Sequence, residues 1–290
     1  MTTQLATIPA THKIPKVGTP RSAGWDDFAP GPFPRSFELT VTPDDIERWC
    51  RLYEDDPGLY VEHAPHYILY YAGQSIVAPL RDISAGFARF RAEFIAPVPR
   101  DRPMEISGEV LSKYRRRGRG YIEWQIEARA GGELIQRNAR TWYFQATEEQ
   151  LEGLEERSRE IPAPAAESAE RLGPLSLHLA QERMNYFEGP GEHNGHTDVA
   201  SARERGQPGP VAQGAFAMGL IARMMRDRFG EGFVSGGELD IHFTRTVWSE
   251  ESIEVRGAIL ENSDGRAHCR VWAEKEGGEE VVVGTASARL

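Results

Sequence analysis

Phe243-Thr-Arg-Thr-Val247 followed by Ile253-Glu-Val-Arg-Gly257 repeats, in one register and without a gap, Phe94-Ile-Ala-Pro-Val98 followed by Met104-Glu-Ile-Ser-Gly108. A chain that restates itself at a fixed offset holds two copies of one structural unit. Downstream the parallel continues. Tyr121-Ile-Glu-Trp124 leads to Gly131-Gly132 and a further strand, and His268-Cys-Arg-Val-Trp272 leads to Gly277-Gly278 and Glu279-Glu-Val-Val-Val-Gly284. Alternating apolar residues joined across a Gly-Gly turn read as a hairpin in each copy.

Helical segments precede the strands. Thr42 as N-cap, Pro43 in the first turn and Asp45 closing a capping-box pattern start a helix whose apolar face is Ile46, Trp49, Cys50 and Tyr53. In the second copy, Gly214 to Phe229 carries Phe216, Leu220 and Met224 on one row and Ala217, Ile221 and Met225 on the next. So wide an apolar stripe marks a mostly buried helix; Met218, Met224 and Met225 read most simply as its packing. Strand, helix, then several antiparallel strands is an α+β arrangement, the layout of a sheet wrapped around one helix, or hotdog fold, twice in tandem; the order alone also fits other α+β folds. The expected organisation is an extended arm over 1–30, a first hotdog over 31–147, a linker over 148–172 and a second hotdog over 173–290. The linker starts with a charged helical stretch, Glu148 to Glu160, and continues through the Pro- and Ala-rich Ile161 to Ala166.

The 290 residues suffice for two cores, and 40% hydrophobic with 27% charged residues is ordinary for a globular protein. A net charge of −10 argues against nonspecific nucleic-acid binding, which needs a basic surface. Cys50 and Cys269 stand far apart and make neither a disulfide framework nor a metal-ligand spacing. No apolar run approaches a bilayer-spanning length and the first residues lack a signal-peptide pattern, so a cytoplasmic protein without membrane association is expected.

The stretch that carries chemistry is Gly191-Glu-His-Asn-Gly-His196-Thr-Asp198, followed by Ala202, Gly206, Pro210-Val211 and Gln213-Gly214 ahead of the buried helix. It resembles the MaoC-like family of R-specific enoyl-CoA hydratases and 3-hydroxyacyl dehydratases. From His196 onward the spacing follows that family's signature; upstream it is one residue short, and Gln213 stands where many members have His. In the first half, Glu54-Asp-Asp-Pro-Gly-Leu-Tyr60 places Tyr60 where the family's catalytic His belongs, and tyrosine does not titrate near neutrality without a very large shift. The resemblance therefore implies one active and one degenerate hotdog, the latter helping to hold the acyl chain.

It also implies a hydro-lyase acting on trans-2-enoyl and 3-hydroxyacyl thioesters. His196 is the expected general base and acid, with Glu192 as catalytic carboxylate partner. Asn194, Gln213 and the backbone of Gly214 are the expected substrate-binding groups, Gly214 with a helix dipole behind it. Asp198 reads as a helix N-cap and His193 as exposed. No Gly-rich nucleotide loop or metal cluster is present in the sequence, so no cofactor is expected beyond coenzyme A or acyl carrier protein as the substrate's handle. Arg115–Arg119, a basic run in an acidic chain, reads either as a binding patch for that handle or as a solvated strand end. A hotdog thioesterase and a non-catalytic acyl-thioester binder remain alternatives, as do a monomer and a homodimer.

Overall fold

The computed structural model describes residues 21–22, 24–33, 36–72, 76–77, 80–81, 85–189, 191 and 193–290. The first half contributes β1 (Phe37–Thr40), α1 (Pro43–Tyr53), α2 (Tyr67–Ala72), β2 (Ala85–Phe94), β3 (Pro103–Arg116), β4 (Arg119–Ala130) and β5 (Glu133–Phe144). The second contributes β6 (Arg171–His178), α3 (Gln181–Glu188), α4 (Val199–Glu204), α5 (Ala215–Phe229), β7 (Glu238–Phe243), β8 (Ser252–Ser263), β9 (Arg266–Lys275) and β10 (Glu280–Arg289).

These strands form one antiparallel sheet in the order β6-β8-β9-β10-β7-β2-β5-β4-β3, with β1 and Gly31–Pro32 paired to β3. Each half-sheet is a hotdog sheet. The repeat is visible in the strand ends, since β2 stops at Phe94 and β7 at Phe243, and β3 and β8 begin beside Met104 and Ile253. Both hairpins turn on glycine pairs with positive φ, Gly131-Gly132 at 58° and 88° and Gly277-Gly278 at 89° and 81°, a conformation that costs a side-chain-bearing residue energy. The halves meet where β7 lies antiparallel to β2, from Glu238 opposite Glu93 to His242 opposite Arg89. On the outer face of this seam Arg89 grips Asp240 through two hydrogen bonds.

Helix α5 fills the concave side of the second half-sheet. Phe216, Leu220, Ile221, Met224 and Met225 are all buried, so its stripe faces β6, β8, β9 and β10 as its sequence requires. Thr42 caps α1 as expected, with a full capping box to Asp45, and Ile46, Trp49, Cys50 and Tyr53 face inward. They face the other half: Trp49 meets Phe187 edge-on at 5.4 Å, and the Tyr53 hydroxyl donates to the Ala215 carbonyl at 2.9 Å. Gly219 makes this approach feasible, because a Cβ there would stand 2.2 Å from Tyr53 Cε1.

One expected helix is shorter. The charged stretch from Glu148 is helical only over Glu148–Leu151, because Gly153 adopts φ +73°, and residues 155–157 then run extended beside Arg115. There the Arg115 N–H donates to the Glu155 carbonyl and the Arg157 N–H to the Arg115 carbonyl, so the extended segment finds on β3 the backbone partners that a helix would supply from within. Of the expected arm, residues 1–20 and 23 lie outside the described residues; Trp25 and Phe28 are buried against Phe144 and Trp142. Arg115 pairs with Glu156, while Arg116 and Arg119 lie over the Tyr121 and Tyr143 rings, so this basic run is the end of the β3-β4 hairpin. No helix among the described residues is long and apolar enough to cross a membrane.

Candidate active site

His196 sits in a tight loop between α3 and α4 and is half-buried. Its backbone N–H donates to Asn194 Oδ1 at 2.8 Å, and the Asn194 N–H to Thr197 Oγ1 at 2.8 Å, so the short polar side chains close the turn on itself. The loop is then clamped to the segment entering α5. The Val211 N–H donates to the Gly195 carbonyl at 3.0 Å, and His196 Nδ1 lies 2.6 Å from the Val211 carbonyl oxygen. A carbonyl can only accept, so Nδ1 carries the proton and the neutral imidazole keeps its lone pair on Nε2.

Glu188, the last residue of α3, completes the circuit. Its Oε1 accepts from Gln213 Nε2 at 2.9 Å and its Oε2 from Asn194 Nδ2 at 3.3 Å. The chain thus runs from His196 through Val211 to Gln213, across Glu188 to Asn194, and back to His196. Gln213 is buried, and its second amide hydrogen points to the Met184 carbonyl at 3.4 Å. Both N–H groups are therefore engaged within the protein, so the side chain has no hydrogen left to donate. Gln213 Oε1 is a buried acceptor with no partner among the described residues.

Gly214 caps α5, and a Cβ there would come 2.8 Å from Phe243 Cε1 and 3.0 Å from Phe87 Cδ1. Only glycine lets the two stacked rings, with centroids 4.5 Å apart, close over the backbone at this helix start. No acceptor for the Gly214 N–H occurs among the described residues. Asp198 caps α4, accepting from the Ser201 N–H at 2.8 Å; these hydrogen bonds, the backbone one foremost, hold its carboxyl below the usual carboxylate range. His193 is exposed at the rim. Glu192, the expected carboxylate partner, lies outside the described residues.

Sequence reasoning missed Glu188. It belongs to a helix that ends there and lies outside the motif, and the reversal at Gly189 and Gly191, with φ of 96° and 72°, is what brings it back beside Asn194. Its only advance signal is a carboxylate at the end of an amphipathic segment just before a glycine-rich loop.

The corresponding region of the first half is locked. The Asp55 carboxylate, 1% exposed, accepts from Arg226 at 2.9 and 3.0 Å, from the Tyr60 hydroxyl at 2.6 Å and from the Tyr67 hydroxyl at 3.1 Å. Tyr60 also accepts from Arg226. Every oxygen that chemistry would need here is held by the α5 arginine of the other half. A polar groove of about 530 Å³ lies on the outer face of the seam, between Arg91, Glu93, Arg137 and Asp240, but its charges satisfy one another and none of the residues above lines it. Among the described residues no three His, Cys, Asp or Glu side chains are placed to hold a metal ion.

No protein-family model and no curated protein sequence matches the chain. Solved structures do. A MaoC-like dehydratase superposes with a TM-score of 0.69 at 15% identity, covering 88% of this chain and 97% of its own. A MaoC domain protein dehydratase from Chloroflexus aurantiacus gives 0.68 at 12% identity, covering 93% and 97%. An oleoyl thioesterase from Lactobacillus plantarum gives 0.54 at 12% identity, covering 90% and 96%. The protein is a tandem α+β hotdog with the fold of the MaoC-like dehydratases.

Proposed function

We propose that this chain catalyses the reversible addition of water across the double bond of a trans-2-enoyl thioester, giving the 3-hydroxyacyl thioester. The observation that carries the reading is the His196 Nδ1 contact to the Val211 carbonyl, which leaves Nε2 as a base for water. Water gives one proton to Nε2 while its oxygen bonds to C3, and the C2–C3 π electrons move toward the thioester oxygen. The Gly214 N–H, at the positive end of α5, faces the charge that develops there. The proton taken up by Nε2, returned directly or relayed by the carboxylate partner, then goes to C2, which completes the addition and restores the neutral imidazole. Gln213 Oε1 is suited to accept the second hydrogen of the attacking water, and of the hydroxyl it becomes.

A carboxylate partner is part of this reading, and Glu188 joins Glu192 as a candidate for it. The substrate's handle is coenzyme A or an acyl carrier protein. Thioester hydrolysis is the second reading, favoured by the thioesterase among the similar folds. One assay separates them. Purified protein is mixed with trans-2-enoyl-CoA thioesters while loss of the conjugated absorbance and release of free thiol are both followed. Hydration abolished in His196→Ala without thiol release supports the proposal; thiol release by the wild type, or hydration surviving in His196→Ala, refutes it.

A further inference from the structure

The inner face of the first half-sheet holds a cation with no ion-pair partner among the described residues. Arg140 on β5 is 1% exposed, and none of Nε, Nη1 and Nη2 has a hydrogen-bond partner among the described residues. Its guanidinium lies between two aromatic faces, 5.0 Å from the Trp124 ring and 5.7 Å from the Phe90 ring. Desolvation lowers its pKa to about 9, which leaves it charged at neutral pH. Stacking on the two rings recovers only part of the hydration that an unpaired ion gives up on burial.

Two unmet groups near it share its chemical character, while the unmet acceptor of this face, Gln136 Oε1, stands four residues away along β5. Trp124 Nε1 and the Tyr70 hydroxyl are also buried without partners, and the Tyr70 ring packs on Phe90 at 4.8 Å. A guanidinium, an indole N–H and a phenol O–H are all donors, and a carboxylate is the common side-chain-sized group that only accepts.

The cluster lies one step from the candidate active site. Phe87, which presses on Gly214, is opposite Trp142 in the β2-β5 ladder, and Trp142 meets Trp124 at 4.9 Å. Arg140 and Trp142 alternate with one outward residue, so they share a face about 7 Å apart. Phe87, Trp142 and Trp124 thus link Gly214 to Arg140 by an unbroken series of side-chain contacts along one face of the sheet.

We propose that Arg140, with Trp124 Nε1 and Tyr70, binds a second carboxylate at the far end of the acyl group, so that the substrate is a short dicarboxylic acyl thioester. The assignment rests on the thioester reading of the His196 site. It gives the first half a task that Asp55 and Tyr60, held by Arg226, do not perform.

The test uses full-length protein and saturated ligands that cannot react. Calorimetric titration compares succinyl-CoA and glutaryl-CoA with butyryl-CoA and pentanoyl-CoA. Wild type is expected to bind the carboxylated member of each pair at least tenfold more tightly, Arg140→Met to bind both alike, and Arg140→Lys to keep part of the preference. Equal binding by wild type, or a preference undiminished in Arg140→Met, overturns the proposal. Thermal melting of Arg140→Met is expected to match or exceed wild type, because an apolar side chain replaces an unpaired charge; a large fall would mean that Arg140 has a partner within the protein and would also overturn it. Failure of Arg140→Met to fold counts as such a fall, and the wild-type and Arg140→Lys titrations stand as the independent check. Carboxylate-selective binding without hydration of any enoyl thioester sinks the hydratase reading and leaves this site standing; hydration of alkyl and carboxylated enoyl thioesters at equal rates and affinities does the reverse.

Discussion

Asp55→Asn tests whether the two halves are held together by the buried ion pair to Arg226. The substitution is nearly isosteric, so packing around Tyr60 and Tyr67 is retained while the charge is lost. Asp55 is 1% exposed and Arg226 14%, and the pair is bidentate. Removing one member of a buried pair costs about 3–5 kcal/mol because its partner is stranded. Arg226 keeps a second carboxylate, the more exposed Asp227, which puts the expected loss near the lower end, about 3 kcal/mol. For a chain of this size that is a fall in melting temperature of roughly 6–12 °C. Urea unfolding followed by tryptophan fluorescence measures it, with Arg226→Met and the double variant closing a thermodynamic cycle. The reasoning predicts a double variant less destabilised than the sum of the singles by at least about 1 kcal/mol. Additive losses, or an Asp55→Asn cost below about 1 kcal/mol, would show that the pair is no clamp.

Glu188→Gln should lower kcat more than tenfold, because Asn194 and Gln213 lose the carboxylate that aims them, and should also cost about 1.5–3 kcal/mol of stability, the worth of a charge-assisted bond; activity within twofold of wild type would mark Glu188 as a bystander. Gly219→Ala should destabilise by about 1–2 kcal/mol, the overpacking against Tyr53 outweighing the roughly 1 kcal/mol gained in helix propensity, and Tyr53→Leu should relieve it; a stabilised Gly219→Ala protein contradicts the close approach. His66 is buried on Phe94 and desolvation pushes its pKa down to about 3. The unfolded chain takes up a proton below about pH 6.5 that the folded one refuses, so stability present at neutral pH is lost as pH falls from about 6.5 toward 3. Between pH 7.5 and 5 this amounts to about 2 kcal/mol, and an equal pH dependence of the urea midpoint in His66→Gln would disprove it. His242, lowered to about 4 chiefly by burial, acts in the same direction.

The repeat around Phe94 and Phe243 was legible because strand ends and hairpin glycines are local and recur in register. So was α5, whose apolar stripe leaves no other placement. The inward face of β5 was hidden for the opposite reason. Gln136, Asn138 and Arg140 alternate as a solvent-facing strand would, yet all three are buried. Period-two patterning reports which residues share a face and assigns that face to water when it is polar; a polar interior inverts the inference. Within the site, the His196 loop could be read from its motif, whereas the bond from Glu188 to Gln213 joins elements brought together only by folding.

The seam between β7 and β2 also changes what a mutation can do. In a symmetric dimer of single hotdogs, each substitution is made twice, and a residue that improves one cleft alters its twin as well. Covalent tandem arrangement removes that constraint. Tyr60 and Asp55 can be given over to Arg226 while His196 keeps its free nitrogen, and the two clefts of one chain become separately selectable parts. The division of labour follows from continuity of the backbone.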